Sequence, residues 1–424
     1  MTEQTNTPKL RFPEFSEEWE NKSITDDFSI IDGDRGKHYP SSKDLLKKGD
    51  CIFLSAENIT KKGWSFKNLK FITRKKDISM GKGKLKLNDL ILTTRGTVGN
   101  VVRYHEEIPF QDMRINSGMV ILRTIQPSQF FLTLFTSNFM KRFLNKVTVQ
   151  SAQPHLTVAT IKTMKFFIPK SIKEQEKIGT FFSKLDRQIE LEEKKLELLE
   201  QQKCGYMQKI FSQELRFKDE SGNDYPEWKE RKFSELLSYS SNGVDKKINK
   251  NHDIAYMVNY MDVFNKTKLN TKNRDLLMET TATKIQKEKN NLKKGDILFT
   301  PSSETREDIA KSTVVFEDLD NTVYSYHLIR LRPLDSNIFS LKYSNYLSEQ
   351  NFISKQFRRL AQGAQRYTLT KEHFENIRLN LPHITEQEKI GDFFSKLDEV
   401  INKQSQKIDE LKLRKQGFLQ KMFI

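Results

Sequence analysis

The feature that most constrains this chain is an internal repeat. Residues 174–211 and residues 386–423 are identical at 20 of 38 positions without a gap, and the two copies lie 212 residues apart. A repeat has to be recognised first, because each copy is one structural unit. Shorter echoes lie near the same offset: Leu10-Arg11-Phe12 and Leu215-Arg216-Phe217, Glu18-Trp19 and Glu227-Trp228, Asp89-Leu90-Ile91-Leu92-Thr93 and Asp296-Ile297-Leu298-Phe299-Thr300, and Gln150-Ser151-Ala152-Gln153 and Gln362-Gly363-Ala364-Gln365. Between these segments the halves diverge, which predicts one scaffold that carries two different globular domains.

Each long repeated segment predicts a coiled-coil helix. Apolar residues recur at alternating intervals of three and four, with Glu, Lys and Gln between them, as in the seam of a coiled coil. The seam residues are Ile178, Phe182, Leu185, Ile189, Leu196, Leu199, Tyr206 and Ile210 in the first copy, and Ile390, Phe394, Leu397, Ile401, Ile408, Leu411, Phe418 and Met422 in the second. A helix with so narrow an apolar stripe needs a partner, and the other copy is tethered in the same chain. We expect the two helices to pair antiparallel, with one globular domain at each end.

The chain also carries a large positive charge, with 72 Lys and Arg against 56 Asp and Glu, or +16. A surplus of this size indicates a polyanion or an acidic partner, and charge alone leaves DNA, RNA and membrane surfaces open. About 33 helical residues at a rise of about 1.5 Å give a spacer of about 50 Å. On DNA, such a spacer would set the two domains about one to one and a half helical turns apart.

Other features of the sequence predict a soluble cytoplasmic protein. The first twelve residues contain no apolar signal core, and the most apolar stretch, around Phe130 to Phe135, is too short to span a bilayer. Cys51 and Cys204 are the only cysteines. Two distant cysteines predict neither a disulfide framework nor a cysteine zinc site, and they suit a reducing compartment.

The repeated segments carry a family resemblance. The first copy contains Ile168-Pro169, Glu174-Gln175, Lys177-Ile178, Phe181-Phe182 and Leu185-Asp186, and the second contains Leu381-Pro382, Glu386-Gln387, Lys389-Ile390, Phe393-Phe394 and Leu397-Asp398. These motifs resemble the repeated helical regions of Type I restriction-modification specificity subunits, and the resemblance covers essentially the entire chain. In that family each helix follows a target-recognition domain, which is the order seen here.

The predicted fold class is therefore α+β, with two mixed α/β globular target-recognition domains separated by two long antiparallel coiled-coil helices and related by a pseudo-twofold internal duplication. The predicted domains are residues 1–170 and 212–382, and the predicted helical spacers are residues 171–211 and 383–424. The resemblance implies that each domain reads one half of a gapped site in double-stranded DNA. It also implies that the helices dock two modification (methyltransferase) subunits, which bring S-adenosylmethionine, and that restriction-translocase subunits, which bring ATP and Mg, join for cleavage.

Candidate DNA-reading residues come from loops that hold Arg, Lys, Asn or Gln, because these side chains read base edges in the major groove. In the first half they are Arg35, Lys37 and His38 in one turn, Thr94 and Arg95 after the Asp-Leu-Ile-Leu strand, and Gln153 and His155 in a later loop. In the second half they are Asn259 and Tyr260 near a strand end, Ser302, Ser303, Arg306 and Lys311 after the equivalent strand, and Gln365, Arg366 and Tyr367 in the later loop. The first half continues as Gly96-Thr97-Val98-Gly99, as in many family members, whereas residues 301–306 contain no glycine, so the resemblance does not extend to this second loop.

The sequence shows no catalytic motif. It has no Pro-Pro pair of the kind found in DNA amino-methyltransferases, no P-loop, no His-x-x-x-His pair and no Gly-x-Ser-x-Gly elbow. We therefore expect a subunit without catalysis, with no cofactor or metal of its own. The alternative from another class is a structural coiled-coil adaptor whose globular halves bind proteins, and it predicts weak, salt-insensitive DNA association. A free-standing repressor is a third interpretation, which would require tight specific binding by the chain alone.

Overall fold

The computed structural model describes residues 6–147 and 155–424 and divides into two compact units. Unit 1 comprises Met1–Glu193 with Gln406–Ile424, and unit 2 comprises Lys194–Ser405. Both divisions fall inside the repeated helical segments. Each unit therefore contains one globular part and one segment of each long helix.

The globular part of unit 1 is mixed α/β. Its strands are β1 (Glu20–Ser23), β2 (Ser29–Asp32), β3 (Cys51–Leu54), β4 (Ile59–Thr60), β5 (Gly63–Trp64), β6 (Phe71–Ile72), β7 (Leu90–Thr93), β8 (Val101–Arg103), β9 (Met113–Ile115), β10 (Met119–Arg123) and β11 (Lys165–Ile168). Its helices are α1 (Ile24–Asp27), α2 (Arg74–Ser79), α3 (Ser128–Thr136), α4 (Asn138–Val147) and α5 (Val158–Lys162), and they are followed by the first long helix, α6 (Ile172–Phe211). Short 3-10 turns lie at Ser42–Asp44 and Ala56–Asn58.

The globular part of unit 2 is also mixed α/β, with a similar but not identical order of elements. Its strands are β12 (Lys229–Lys232), β13 (Leu237–Ser240), β14 (Asp253–Val258), β15 (Met278–Ala282), β16 (Ile297–Phe299), β17 (Ser302–Ser303), β18 (Ser312–Val314), β19 (Thr322–Tyr324), β20 (Ile329–Pro333), β21 (Tyr367–Thr368) and β22 (Arg378–Leu381). Its helices are α7 (Phe233–Leu236), α8 (Tyr260–Phe264), α9 (Lys284–Lys289), α10 (Leu341–Ser344), α11 (Asn351–Leu360) and α12 (Lys371–Glu375), and they are followed by the second long helix, α13 (Ile384–Met422). Short 3-10 turns lie at Thr271–Leu276 and Leu347–Glu349.

The two units build the same main sheets. A four-stranded antiparallel sheet has the order β2-β10-β7-β8 in unit 1 and β13-β20-β16-β18 in unit 2. A three-stranded sheet has the order β6-β3-β9 in unit 1 and β15-β14-β19 in unit 2, and one pair in each is parallel. The sequence repeat therefore extends to strand order even where the residues differ.

The four-stranded sheet is covered on both faces. In unit 1, Leu90 and Leu92 join the core beneath α3, whereas Ile91 joins the core beneath the three-stranded sheet. In unit 2, Phe299 and Leu298 divide between two cores in the same way. Successive side chains of a strand point to opposite faces, so a strand with two buried faces is apolar throughout. This explains why the Asp-Leu-Ile-Leu-Thr and Asp-Ile-Leu-Phe-Thr segments remain similar although most of the sequence differs between the halves.

Within each unit the two long helices pair antiparallel. Residues with increasing numbers along α6 contact residues with decreasing numbers along α13. The contacts are Phe181 with Phe418, Asp186 with Lys415 and Glu193 with Lys412 in unit 1, and Lys203 with Asp398 and Tyr206 with Phe393 in unit 2. The predicted antiparallel seam and the predicted fold class are confirmed. No helix in the described part of the chain combines the length and apolarity needed to span a membrane.

A buried carboxylate fastens each globular part to the start of its long helix. Glu174 is fully buried and accepts hydrogen bonds from Nε and Nη2 of Arg11, both at 2.7 Å. Trp19 donates to the same carboxylate from Nε1 at 3.4 Å. Unit 2 repeats the arrangement with Glu386, Arg216 and Trp228. Because a buried charge is tolerated only when it is paired and hydrogen-bonded, the Leu-Arg-Phe, Glu-Trp and Glu-Gln segments recur together.

Candidate nucleic-acid interface

The loop after β7 presents Arg95 at the surface of unit 1. The loop closes tightly, because Thr93 N donates to Asn100 O at 2.9 Å and Gly99 N donates to Thr93 O at 2.9 Å. Gly96 and Gly99 have φ values of 70° and 90°, a region that favours glycine. Arg95 is exposed, whereas Thr94 is only 2% exposed. Of the two predicted residues in this loop, only Arg95 offers its side chain to a ligand.

A second turn of unit 1 lies beside this loop. The Thr94 and Arg95 amides both donate to Gly118 O, at 2.8 and 3.2 Å. Arg35 donates from Nη2 to the neighbouring carbonyl of Ser117 at 3.4 Å and forms an ion pair with Asp32. The turn between β9 and β10 thus brings the predicted Arg35 and Arg95 loops together.

The other predicted residues of the Arg35 turn are also exposed. Lys37 and His38 are exposed, and the turn is held because Asp34 accepts from the Gly36 amide at 2.8 Å and from the Gly81 amide at 2.8 Å. The Gly36 hydrogen bond is the main reason that the pKa of Asp34 lies below its ordinary value. This part of unit 1 therefore holds three cationic or titratable side chains on a fixed backbone.

The later loop of unit 1 approaches the same place. Leu156 N donates to Thr94 O at 3.1 Å, and the adjacent His155 is exposed. Gln153 lies outside the described residues. His155 therefore joins the Arg95 group.

Unit 2 uses the same frame with a different loop. Thr300 N donates to Lys311 O at 2.9 Å, and Ala310 N donates to Thr300 O at 3.1 Å, as in the loop of unit 1. Ala310 takes the positive φ, 57°, that a glycine takes in unit 1. Lys311 is half-buried and lies 3.6 Å from Asp308. The loop is longer, and the sequence without glycine indeed adopts another conformation.

A short strand pair replaces the glycine loop. Strand β17 pairs with β21, so that Ser302 lies opposite Thr368 and Ser303 lies opposite Tyr367. Arg366 donates from Nε to Ser302 Oγ at 3.2 Å. The Arg306 guanidinium lies 4.9 Å from the centre of the Tyr367 ring. The structure thus brings both predicted loops of unit 2 together.

The remaining predicted residues of unit 2 lie close to this pair. Asn259 and Tyr260 follow β14, and both are half-buried. Burial raises the pKa of Tyr260, while a hydrogen bond with Thr300 and the charge of Arg366 act in the opposite direction. Gln365 is exposed, and Ser303 is only 2% exposed. The Ser303 side chain is therefore not at the surface.

The sequence reasoning missed one part of the candidate interface of unit 2. Tyr326 and His327, between β19 and β20, have ring centres 3.9 Å apart with the ring planes tilted by 37°, and Tyr326 is 51% exposed. Burial lowers the pKa of His327, and the charges of Lys246 and Arg366 lower it further. Their turn corresponds to the turn between β9 and β10 in unit 1, which lies beside the Arg35 turn.

A glycine in each half marks this turn. A Cβ atom on Gly33 would lie 2.1 Å from Asn116 O, and one on Gly243 would lie 2.4 Å from Ser325 O. Both positions therefore require glycine. Gly33 and Gly243 are 210 residues apart, close to the offset of the repeat. This match between the halves was the sequence feature that could have located the turn in unit 2.

Comparison with known proteins decides the family. The model of the Type I restriction modification DNA specificity domain matches residues 16–201 and again residues 225–413. This chain belongs to the Type I restriction-modification DNA specificity family. A family member from Methanocaldococcus jannaschii, the Type I restriction enzyme MjaVIII specificity subunit, is 24% identical over 413 residues, which cover 95% of this chain and 91% of that protein.

Solved structures of family members share the fold. The S subunit of a Type I restriction-modification system from M. genitalium has a TM-score of 0.58 at 14% identity, with 99% of each chain covered. A chain from a structure of complex assembly and conformational transition of the type I R-M system also has a TM-score of 0.58 at 14% identity, with 98% of this chain and 99% of that chain covered. In this family member, over residues 6–147 and 155–424, His, Cys, Asp and Glu side chains do not gather in threes that would hold a metal ion.

Proposed function

We propose that this chain is the DNA-specificity subunit of a Type I restriction-modification complex and that each unit reads one half of a bipartite, gapped target. The observation that carries the proposal is the contrast between scaffold and loops. The two units share strand order, helix pairing and the buried arginine–carboxylate pair, yet the loops that follow β7 and β16 differ in length and conformation. One frame with two dissimilar polar loops suits the reading of two different base sequences.

The proposed contacts are groups of side chains. In unit 1 they are Arg35, Lys37, His38, Arg95, His155 and Gln153, with Thr94 contributing its backbone. In unit 2 they are Asn259, Tyr260, Ser302, Arg306, Lys311, Gln365, Arg366 and Tyr367, with Ser303 as a backbone position, and we add Lys246 and His327. Arginine is the residue best suited to guanine, because its planar fork matches O6 and N7. Arg95 and Arg366 are therefore the central residues of the two groups.

We further propose that the long helices dock two methyltransferase subunits and that the chain itself has no catalytic centre. S-adenosylmethionine would then be supplied by those subunits, and ATP and Mg by restriction-translocase subunits. Action on host DNA would place the assembly in the cytoplasm. The family membership supports this division of labour, and it does not favour the structural-adaptor alternative.

The test is to map methylated bases across the host genome with and without this gene. We expect deletion to remove methylation at one gapped, two-part motif and at no other. An unchanged methylation map in a strain with active methyltransferase subunits would refute the proposed function.

A further inference from the structure

Each unit contains a helix that leads directly into its later recognition loop. These are α4 in unit 1 and α11 in unit 2, which lie 213 residues apart and are each ten residues long. Their sequences, NFMKRFLNKV and NFISKQFRRL, agree only at the first two positions. Both nevertheless contain three Lys or Arg residues and no Asp or Glu. Cationic character is therefore common to two helices that have otherwise diverged.

Both helices are fixed to their units by an apolar inner face. In α11, Ile353 and Phe357 are fully buried in the core of unit 2. In α4, Met140 is 3% exposed, and Phe143 and Leu144 pack against the core of unit 1. The opposite faces are thus held at a fixed place on the surface.

The outer face of α11 carries Lys355, Arg358 and Arg359, all exposed. Residues three and four apart lie on the same side of a helix, so these cations form one patch. None of them forms an ion pair or a hydrogen bond with another side chain in the described part of the chain. A cluster of like charges that are not paired with carboxylates is unfavourable by itself, and an anionic ligand would relieve the repulsion.

The outer face of α4 carries a similar set. Arg142 and Lys146 occupy the positions of Lys355 and Arg359 in the aligned helices, and Lys141 is also exposed. Arg142 donates to the carbonyl of Ile424 at 2.8 Å, so Lys141 and Lys146 are the other cations that α4 offers to a ligand.

We propose that the outer faces of α4 and α11 bind DNA phosphates beside the half-site that each unit reads. The inference rests on the proposed function and adds a sequence-independent contact to it. In unit 2 the patch ends at Arg359, and Gln362 N and O bond to Thr368 across the loop that carries Arg366. A phosphate contact and a base-reading loop therefore share one rigid support. Phosphates are the same at every site whereas bases are not, which accounts for helices that keep their charge but not their sequence.

The test is the salt dependence of DNA binding by the full chain. Binding to a labelled duplex of mixed sequence is measured over a range of NaCl concentrations for the wild type and for the double variant Arg358→Gln, Arg359→Gln. Each lost phosphate contact makes the slope of log affinity against log salt shallower by about 0.9, so the double variant should lose about 1.8. The control is Lys218→Gln, Lys229→Gln, which removes the same charge from exposed positions of unit 2 before β12 and at its first residue, and its slope should match the wild type.

The outcomes separate this inference from the proposed function. A wild type that binds with a steep slope and a double variant with the same slope would overturn the inference alone. Loss of thermal stability without a change of slope would also overturn it, because the arginines would then serve only to stabilise the C-terminal end of the helix. A wild type with no salt-dependent DNA binding would contradict the proposed function itself. Lys146→Gln should lower the slope by about 0.9 through unit 1, independently of α11.

Discussion

The Nζ atom of Lys203 lies 2.8 Å from Oδ1 of Asp398, so that a lysine of α6 is paired with a carboxylate of α13. Glu349, from the globular part of unit 2, lies 3.1 Å from the same Nζ and also pairs with Lys266. The hydroxyl of Tyr346 donates to Asp398 at 2.6 Å. Together these side chains tie both long helices to the globular part of unit 2.

Lys203→Met is expected to destabilise unit 2 by about 2 to 3 kcal/mol, because it leaves two partly buried carboxylates without their shared cation. Lys415→Met is the matched control. Lys415 stands at the equivalent place in unit 1, where its partner Asp186 is 51% exposed, and an exposed pair contributes about 1 kcal/mol or less. Urea unfolding of the full chain measures both, and equal losses in the two variants would contradict this account.

Glu349 should give unit 2 an acid-sensitive contribution to stability. Burial raises the pKa of Glu349, but the nearby Lys266 and Lys203 outweigh burial and leave the pKa below its ordinary value of 4.5. A carboxyl whose folded pKa is lowered stabilises the folded state above its unfolded pKa, and this contribution is lost as the pH falls below about 4.5. The wild type should therefore lose more stability than Glu349→Gln on acidification from about pH 5.5 to about pH 3.5. Parallel stability curves for the two proteins would refute the assignment.

Gly179 and Gly205 of α6 differ in how closely other parts of the chain approach them. A Cβ atom on Gly179 would lie 2.8 Å from the backbone nitrogen of Phe130, whereas one on Gly205 would meet nothing within 4 Å. Gly179→Ala should destabilise unit 1 by about 1 to 3 kcal/mol through overpacking. Gly205→Ala should stabilise the chain by about 0.5 to 1 kcal/mol, because alanine is the better helix former. Thermal unfolding of the two variants checks the signs, and a stabilising Gly179→Ala would contradict the close packing of α6 on α3.

The sequence predicted those parts of the fold that are accompanied by a periodic pattern of apolar residues. The helical seams follow from apolar spacing, because spacing is a local property of the chain. Their antiparallel pairing was expected because it places one globular domain at each end. The Arg11 to Glu174 pair spans 163 residues, and only the joint recurrence of Arg216 and Glu386 hinted at it. No sequence pattern predicts the ion pair of Lys203 with Glu349, because its partners come from unrelated segments and meet only in the folded chain.

The sequence located the loops of the candidate interface better than it predicted which of their side chains are exposed. The strand that ends at Thr93 located the Arg95 loop, but burial of Thr94 depends on neighbours from distant segments. His327 was missed because its turn shares only backbone geometry with unit 1. Gly33 and Gly243 are both required by that backbone geometry, whereas the side chains around them differ between the units.

The long helices should act as a ruler between half-sites. Removing residues 191–197 and 403–409 deletes one heptad from each helix at matching places and preserves the seam. Seven residues shorten a helix by about 10.5 Å, or about three base pairs at 3.4 Å each. We expect the methylated motif to keep both half-site sequences and to change the number of unread base pairs. An unaltered gap, in a variant that still methylates, would exclude the ruler.

The most direct test of two separate readers is to map the methylated motif of strains that carry Arg95→Ala or Arg366→Ala. Each substitution removes one cation from one loop, and loss of a base contact costs about 1 to 3 kcal/mol at that position. We predict that Arg95→Ala relaxes the sequence requirement of one half-site only and that Arg366→Ala relaxes the other. Relaxation of both half-sites by either substitution would contradict the assignment of one reader to each unit.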